Sequence, residues 1–205
     1  MAQHLRIHPT DPQNRLLKIA AEVMHKGGLV IYPSDTTYAI ACHMGDKAAL
    51  EKIIALRNLD KNHQFSLACR DLSDLATYAK VENADYRLLK RNTPGPFTFI
   101  LLASREVPKR LVHPKKKLIG LRVPDHPIVQ GLLEVFGEPM VTATLRLKET
   151  DENMGDIDEI IETLGNHRDI DVILDGGPCG IETSTIVDMS DGDPVIVRQG
   201  LGVLA

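Results

Sequence analysis

Tryptophan is absent from the 205-residue chain, and only four Phe and four Tyr are present. The core must therefore be packed from aliphatic side chains, and a binding mode built on aromatic stacking of single-stranded bases is disfavoured. Cysteine is nearly as scarce. Cys42, Cys69 and Cys179 are odd in number, far apart and outside any CxxC pattern. That excludes a disulfide framework and a zinc cluster, and it points to a reducing compartment. No apolar stretch reaches the ~18 residues of a membrane span, and the N-terminus lacks the apolar region of a signal peptide. The expected setting is cytoplasmic, with no membrane partner.

Familiar catalytic signatures are missing as well. There is no GxGxxG after a strand, no GxxxxGK[ST], no HExxH and no GxSxG. The common dinucleotide, P-loop, metalloprotease and hydrolase chemistries are thereby set aside. The eight histidines are scattered with no metal-ligand spacing, so no metal site is expected.

What is present is ordinary in bulk and uneven in detail. A hydrophobic fraction of 43% and a charged fraction of 25% suit one globular domain over residues 1–205. The net charge of -4 hides two runs of opposite sign. "ETDENMGDIDEIIE" (149–162) carries seven acids and no base, whereas "VPKRLVHPKKKLIGLR" (107–122) carries six bases and no acid. Concentrated positive charge suits phosphates, and a solvated surface is the competing explanation.

Helix and strand signals alternate. Asp11-Pro12 is read as a helix start, followed by Leu16, Leu17, Ile19, Ala20, Val23 and Met24 at helical spacing. Asp46 caps a second helix, and "HPIVQGLLEVFG" reads as a helix with Pro127 near its start and Gly137 just past its end. Strands are expected at 28–33, 65–69, 97–103, 117–123, 140–144, 171–174, 184–188 and 194–198. A short helix opens at Asp71 or Ser73, another spans 83–91, and another lies within 156–165. Several strands adjoin without a helical crossover, so the sheet should be mixed, not purely parallel. The fold class is α/β: one domain, a twisted mixed sheet with helices around it.

Polar stretches punctuate these strands: "YPSDTTY" (32–38), "TPGPFTF" (93–99), "GLRVPDHP" (120–127), "ETSTIVDM" (182–189) and "VIVRQG" (195–200). A hydroxyl near a turn most often bonds its own backbone, so each stretch alone is weak evidence for a site. Taken in order with "IALRNLDKNHQFSLACRDLS" and "PMVTATL", the set resembles the YrdC-like family over nearly the whole chain. "NTPG.FTFIL", "GEPM" and "HxFxLxCRDLS" look closest to its YciO branch.

The resemblance implies a twisted α/β sheet around a wide, basic, concave cleft. It also implies synthesis of threonylcarbamoyl-AMP and pyrophosphate from threonine, bicarbonate and ATP with Mg²⁺, a step linked to tRNA t6A modification. Carried over, Ser34 and Tyr38 would lie beside threonine, Arg122 would hold its carboxylate, and Thr142 and Ser184 would line the same pocket. Arg57 would be the catalytic arginine at the ATP phosphates, with Lys61, Thr144 and Arg198 also on the nucleotide. Guanidinium forks and small hydroxyls suit such substrates. Asp35 should point away or hold a backbone amide, since a carboxylate facing ATP would repel it.

Two positions depart from the family pattern. Ala55 stands where the K-x-R motif has lysine, leaving Lys61, His63 or Lys115–Lys117 to replace its charge. Thr144-Leu145-Arg146 stands where the pattern has S-x-N. The alternative function is double-stranded RNA or tRNA binding by the basic concavity, with Lys109, Arg110, Lys115, Lys116 and Lys117 on the phosphates.

Overall fold

In the computed structural model the chain is described over residues 1–60, 63–146 and 152–205. The elements run β1 (Gln3–Arg6), α1 (Asn14–His25), β2 (Val30–Pro33), β3 (Tyr38–His43), α2 (Lys47–Arg57), β4 (Ser66–Ala68), α3 (Leu72–Tyr78) and α4 (Asn83–Asn92). They continue β5 (Phe97–Leu102), β6 (Leu118–Arg122), α5 (Pro127–Phe136), β7 (Met140–Thr144), α6 (Ile157–Leu164), β8 (Val172–Asp175), β9 (Thr185–Asp188) and β10 (Val195–Arg198). All ten strands join one sheet in the order β1-β8-β2-β3-β7-β4-β6-β5-β9-β10. Pairings are mixed: β2–β3, β3–β7, β4–β7, β5–β6 and β9–β10 are antiparallel, the rest parallel. A single sheet spanning both ends of the sequence makes this one α/β domain.

Local chemistry explains most element boundaries. Asp46 Oδ1 accepts the Ala49 N–H and Asp71 Oδ1 accepts the Asp74 N–H, each capping a helix start. Gly137 ends α5 at a φ of 84°, a conformation in which a side chain is strained. The expected cap at Asp11 is not used. Gln13 is the N-cap residue and α1 begins at Asn14, because His8 Nδ1 accepts the Asp11 N–H at 3.0 Å and holds that segment in a turn.

Strand alternation gives the sheet two unlike faces. On one, Ile40, Leu67, Phe99, Leu121 and Val187 are buried under α2, α3, α4 and α6, supplied by Leu50, Ile53, Leu75, Leu89 and Ile160. Each such side chain contributes roughly 1.5–3 kcal/mol by leaving water. The other face is covered by α1 and α5 only over the β8-β2-β3 side, through Leu17, Met24, Leu132 and Phe136 on Val30, Val172 and Leu174. Past those helices the same face carries mostly small or polar residues in register: Ala39 opposite Thr144 and Ser66 between Thr142 and Gly120, with Thr98 opposite the apolar Ile186. A Cβ on Gly120 would meet Ser66 Oγ at 2.5 Å, so the floor is held flat by a missing side chain. Among the described residues, no helix is long and apolar enough to cross a membrane.

Candidate functional site

The uncovered half of that face is a cleft of about 250 Å³. Arg57, Arg122, Arg146 and Arg198 line it with His63, Gln64 and a set of hydroxyl residues. Each arginine comes from a different part of the chain. Arg57 ends α2 and donates from Nη1 to the Thr144 carbonyl, tying the helix to the end of β7. Arg122 ends β6 and is buried against Asp35 in an ion pair. Arg146 follows β7, and its Nε donates to Asn153 Oδ1 at 2.8 Å, while Asn153 Nδ2 donates to the Ile181 carbonyl at 2.6 Å. Arg198 ends β10 and donates from Nη2 to the Ser184 carbonyl at 2.8 Å.

These contacts aim the guanidiniums without using up their donors. The Nε atoms of Arg122 and Arg198 and the Nε2 of Gln64 are buried with no hydrogen-bond partner. An orphaned buried donor costs about 1–3 kcal/mol, and an anion in the cleft removes that cost. Arg198 is held below its ordinary pKa by burial and then by the positive charges of Arg146 and Arg122. Burial and then the charges of Arg57 and Arg146 likewise hold the His63 imidazole down, against an opposing pull from Asp60. Positive charge is therefore crowded here, and anionic ligands relieve it.

Hydroxyls complete the wall. Thr98 Oγ1 and Ser184 Oγ are bonded at 2.8 Å. Thr142 Oγ1 and the Tyr32 phenol are 2.5 Å apart, and burial pushes that phenol up to about 12, so it keeps its proton.

The sequence-based assignments divide cleanly. Arg57, Arg122, Thr142, Thr144, Ser184 and Arg198 line the one cleft. Ser34 and Tyr38 do not. Ser34 Oγ donates to the Thr37 carbonyl at 2.7 Å inside the turn joining β2 to β3, and the Tyr38 ring is buried in the core with its hydroxyl on the Gly177 carbonyl at 2.6 Å. Thr36 and Thr37 of the same turn reach the cleft in their place. Asp35 does hold a backbone amide, that of Asp125 at 3.0 Å, and also pairs with Arg122. Arg122 therefore arrives at the cleft already partnered. Lys61 lies outside the described residues.

The basic run, apart from Arg122 at its end, also falls elsewhere. Lys115, Lys116 and Lys117 precede β6, whose far end bears Arg122, so roughly 15 Å of strand separates them from the cleft. Lys109 and Arg110 belong to a short 3₁₀ turn, and Arg110 donates to the Gly45 carbonyl. The expectation that this cluster lines the concavity is corrected: among the described residues the cleft owes its charge to four dispersed arginines. Gln64 and Thr98 were not assigned to the cleft from sequence, whereas His63 was named there as a substitute for the missing lysine charge and Arg146 as the departure from the S-x-N pattern, and both line it.

Metal binding gains little from the donors on offer. No carboxylate is among the described residues lining the cleft. Elsewhere His25, His43 and Glu138 place ligand atoms within 4.8 Å of one another. However, His43 Nδ1 accepts the Gly45 N–H at 2.8 Å, so its Nε2 carries the proton directed at Glu138 Oε1, 2.9 Å away. That tautomer leaves His43 no free lone pair for a cation.

A family model for Sua5, YciO and YrdC proteins, described as telomere recombination, matches residues 22–200. The chain belongs to the Sua5/YciO/YrdC family. It is 46% identical to the uncharacterised protein YciO of Escherichia coli K12 over 202 residues, covering 98% of this chain and 97% of that one. The crystal structure of E. coli YciO superposes with a TM-score of 0.94, covering 99% of this chain and 98% of that one. Mouse threonylcarbamoyl-AMP synthase is 29% identical over 192 residues, covering 90% of this chain and 66% of the synthase. The P. abyssi Sua5 complexed with L-threonine shares the fold, at a TM-score of 0.87 and 24% identity over 97% of this chain and 58% of that one. The fold is thus that of the Sua5/YciO/YrdC family.

Proposed function

We propose that this chain joins threonine, bicarbonate and ATP into threonylcarbamoyl-AMP with release of pyrophosphate. The observation that carries this reading is the convergence of four arginines, two of them with buried and unpartnered Nε atoms, on a hydroxyl-lined cleft. The similarity to threonylcarbamoyl-AMP synthases supports the same choice.

In this reading the carboxylate of N-carboxylated threonine attacks the α-phosphorus of ATP. A new O–P bond forms while the bond to the bridging oxygen breaks, and pyrophosphate departs. Arg57, Arg146 and Arg198 neutralise the triphosphate and the charge that grows on the leaving group. Arg122, steadied by Asp35, meets the amino-acid carboxylate with its remaining N–H groups. Thr98, Thr142 and Ser184 orient the polar substrate without filling the cleft. Mg²⁺ would arrive with the phosphates of ATP, since the described lining side chains include no carboxylate to hold it, and would supply charge neutralisation there.

The test is pyrophosphate release from ATP with threonine and bicarbonate present, or with each omitted. Release that requires both is expected. Release indifferent to threonine, or none at all, overturns the assignment.

A further inference from the structure

The proposed reaction poses a proton problem that arginines cannot solve. At neutral pH the amine of threonine is an ammonium without a lone pair, and it cannot attack carbon until one proton has left. Guanidiniums accept no proton, and neither hydroxyls nor a glutamine amide are bases near pH 7. Asp35, the carboxylate paired with Arg122, also accepts the Asp125 N–H. Among the described residues lining the cleft, that leaves the imidazole of His63.

His63 is placed for the task. It sits on the connection between α2 and β4, with its N–H on the Asp60 carbonyl at 3.2 Å. Its ring is half-buried and stands edge-on to buried Phe65, with centroids 5.1 Å apart and planes at 79°. The charged groups acting on it are Arg57 from α2, Arg146 from beyond β7 and Asp60 from its own loop. Burial first, and then Arg57 and Arg146 against the pull of Asp60, hold the ring below its ordinary value, so it is neutral at physiological pH and has a lone pair to offer.

We propose that His63 is the general base that deprotonates the ammonium of the amino-acid substrate before its carboxylation. This inference rests on the synthase reading above. The imidazole takes one proton, leaving a neutral amine. The amine lone pair forms the N–C bond to bicarbonate, a C–O bond of bicarbonate breaks, and the second amine proton leaves with that oxygen as water. The product is the carbamate anion. The imidazolium, repelled by Arg57 and Arg146, returns its proton to solvent and resets the site.

The experiment measures threonine-dependent pyrophosphate release across pH for the wild type, His63→Gln, His63→Ala and Asp60→Asn. Wild-type kcat should fall on the acid side along a one-proton limb lying below about 6.5. His63→Gln should lower kcat by about 10²-fold or more, with the KM for ATP within about twofold, and should recover at alkaline pH where solvent deprotonates the amine. Added imidazole should restore part of the His63→Ala rate. Asp60→Asn keeps His63 and removes the charge that, among the described residues, favours its protonation, so the limb should move to lower pH with kcat unchanged. A His63→Gln enzyme that retains both rate and limb overturns the role of His63 alone. So does a joint loss of kcat and ATP affinity without imidazole rescue, or an Asp60→Asn limb that stays in place. A wild type without threonine-dependent release overturns the synthase reading and this inference with it.

Discussion

Asp35 and Arg122 form an ion pair between the β2–β3 turn and the end of β6, with side chains only 7% and 10% exposed. The pair fixes a guanidinium at the cleft floor while leaving its Nε–H unpartnered. Removing the acid strands a buried cation and frees the Asp125 amide as well. Asp35→Ala should cost about 3 kcal/mol of stability, read as a lowered urea midpoint at unchanged m-value. A loss below about 1 kcal/mol means that water replaces the carboxylate and the pair is dispensable to the fold.

Asn153 links Arg146 to the loop at Ile181 through bonds of 2.8 and 2.6 Å. Asn153→Ala releases both, so Arg146 samples orientations away from the cleft. ATP binding should weaken about fivefold, equal to about 1 kcal/mol, with stability affected far less. Isothermal titration checks it, and unchanged affinity removes Arg146 from the nucleotide site.

The lysines before β6 lie at the strand end remote from the cleft, so the triple change Lys115→Ala, Lys116→Ala, Lys117→Ala should leave pyrophosphate release within about twofold of wild type. The same protein tests RNA binding separately. Should duplex RNA bind wild type through this surface, the triple variant will show a shallower salt dependence, by roughly 0.9 for each phosphate that it no longer neutralises.

Stability should fall in mild acid. Burial holds the imidazoles of His63 and His126 below the ordinary value of 6.5. His126 Nδ1 caps α5 by accepting the Ile128 N–H at 3.2 Å, and a protonated Nδ1 cannot accept. The unfolded chain therefore binds more protons than the native one in this range. The native advantage is complete above about 6.5 and is lost progressively as pH drops below it. Urea midpoints at pH 5 and pH 7.5 measure the effect, and His126→Asn, which caps without titrating, should flatten the profile.

Much of the architecture was legible in the chain because its signals are local. Asp46, Asp71, Gly137 and the periodic apolar residues act over a single turn of helix, so α2, α3 and α5 lie where their caps and spacing put them. The strand β3 was not. Its first residue, Tyr38, closes a run of oxygen-bearing side chains that reads as a loop, and the strand exists because β2 and β7 flank it on both sides. β1 escapes sequence reasoning for a related cause: its polar Gln3–Arg6 segment is held by pairing with β8, which comes from the opposite end of the chain.

The site was half legible. "PSDTTY" stands out in the sequence as unusual, yet the residues assigned to the substrate from it, Ser34 and Tyr38, bond carbonyls, while Thr36 and Thr37 line the cleft even though the Thr37 hydroxyl donates to the Met154 carbonyl and that of Thr36 bonds Ser34. Which hydroxyl of a tight turn points outward depends on the turn's backbone geometry, which side-chain chemistry alone does not specify.

The sequence by itself determined the α/β class, the mixed sheet, the family and the arginines at strand and helix ends, since these rest on periodicity and on residue types at fixed spacings. Only the tertiary structure decided that charge reaches the cleft from Arg57, Arg122, Arg146 and Arg198, contributed by four separate parts of the chain, while Lys115, Lys116 and Lys117 stay outside it. The physical reason is the length of β6. A strand carries its two ends to opposite rims of the sheet, so neighbours in a charge run can serve different surfaces, and residues 141 positions apart, Arg57 and Arg198, can share one.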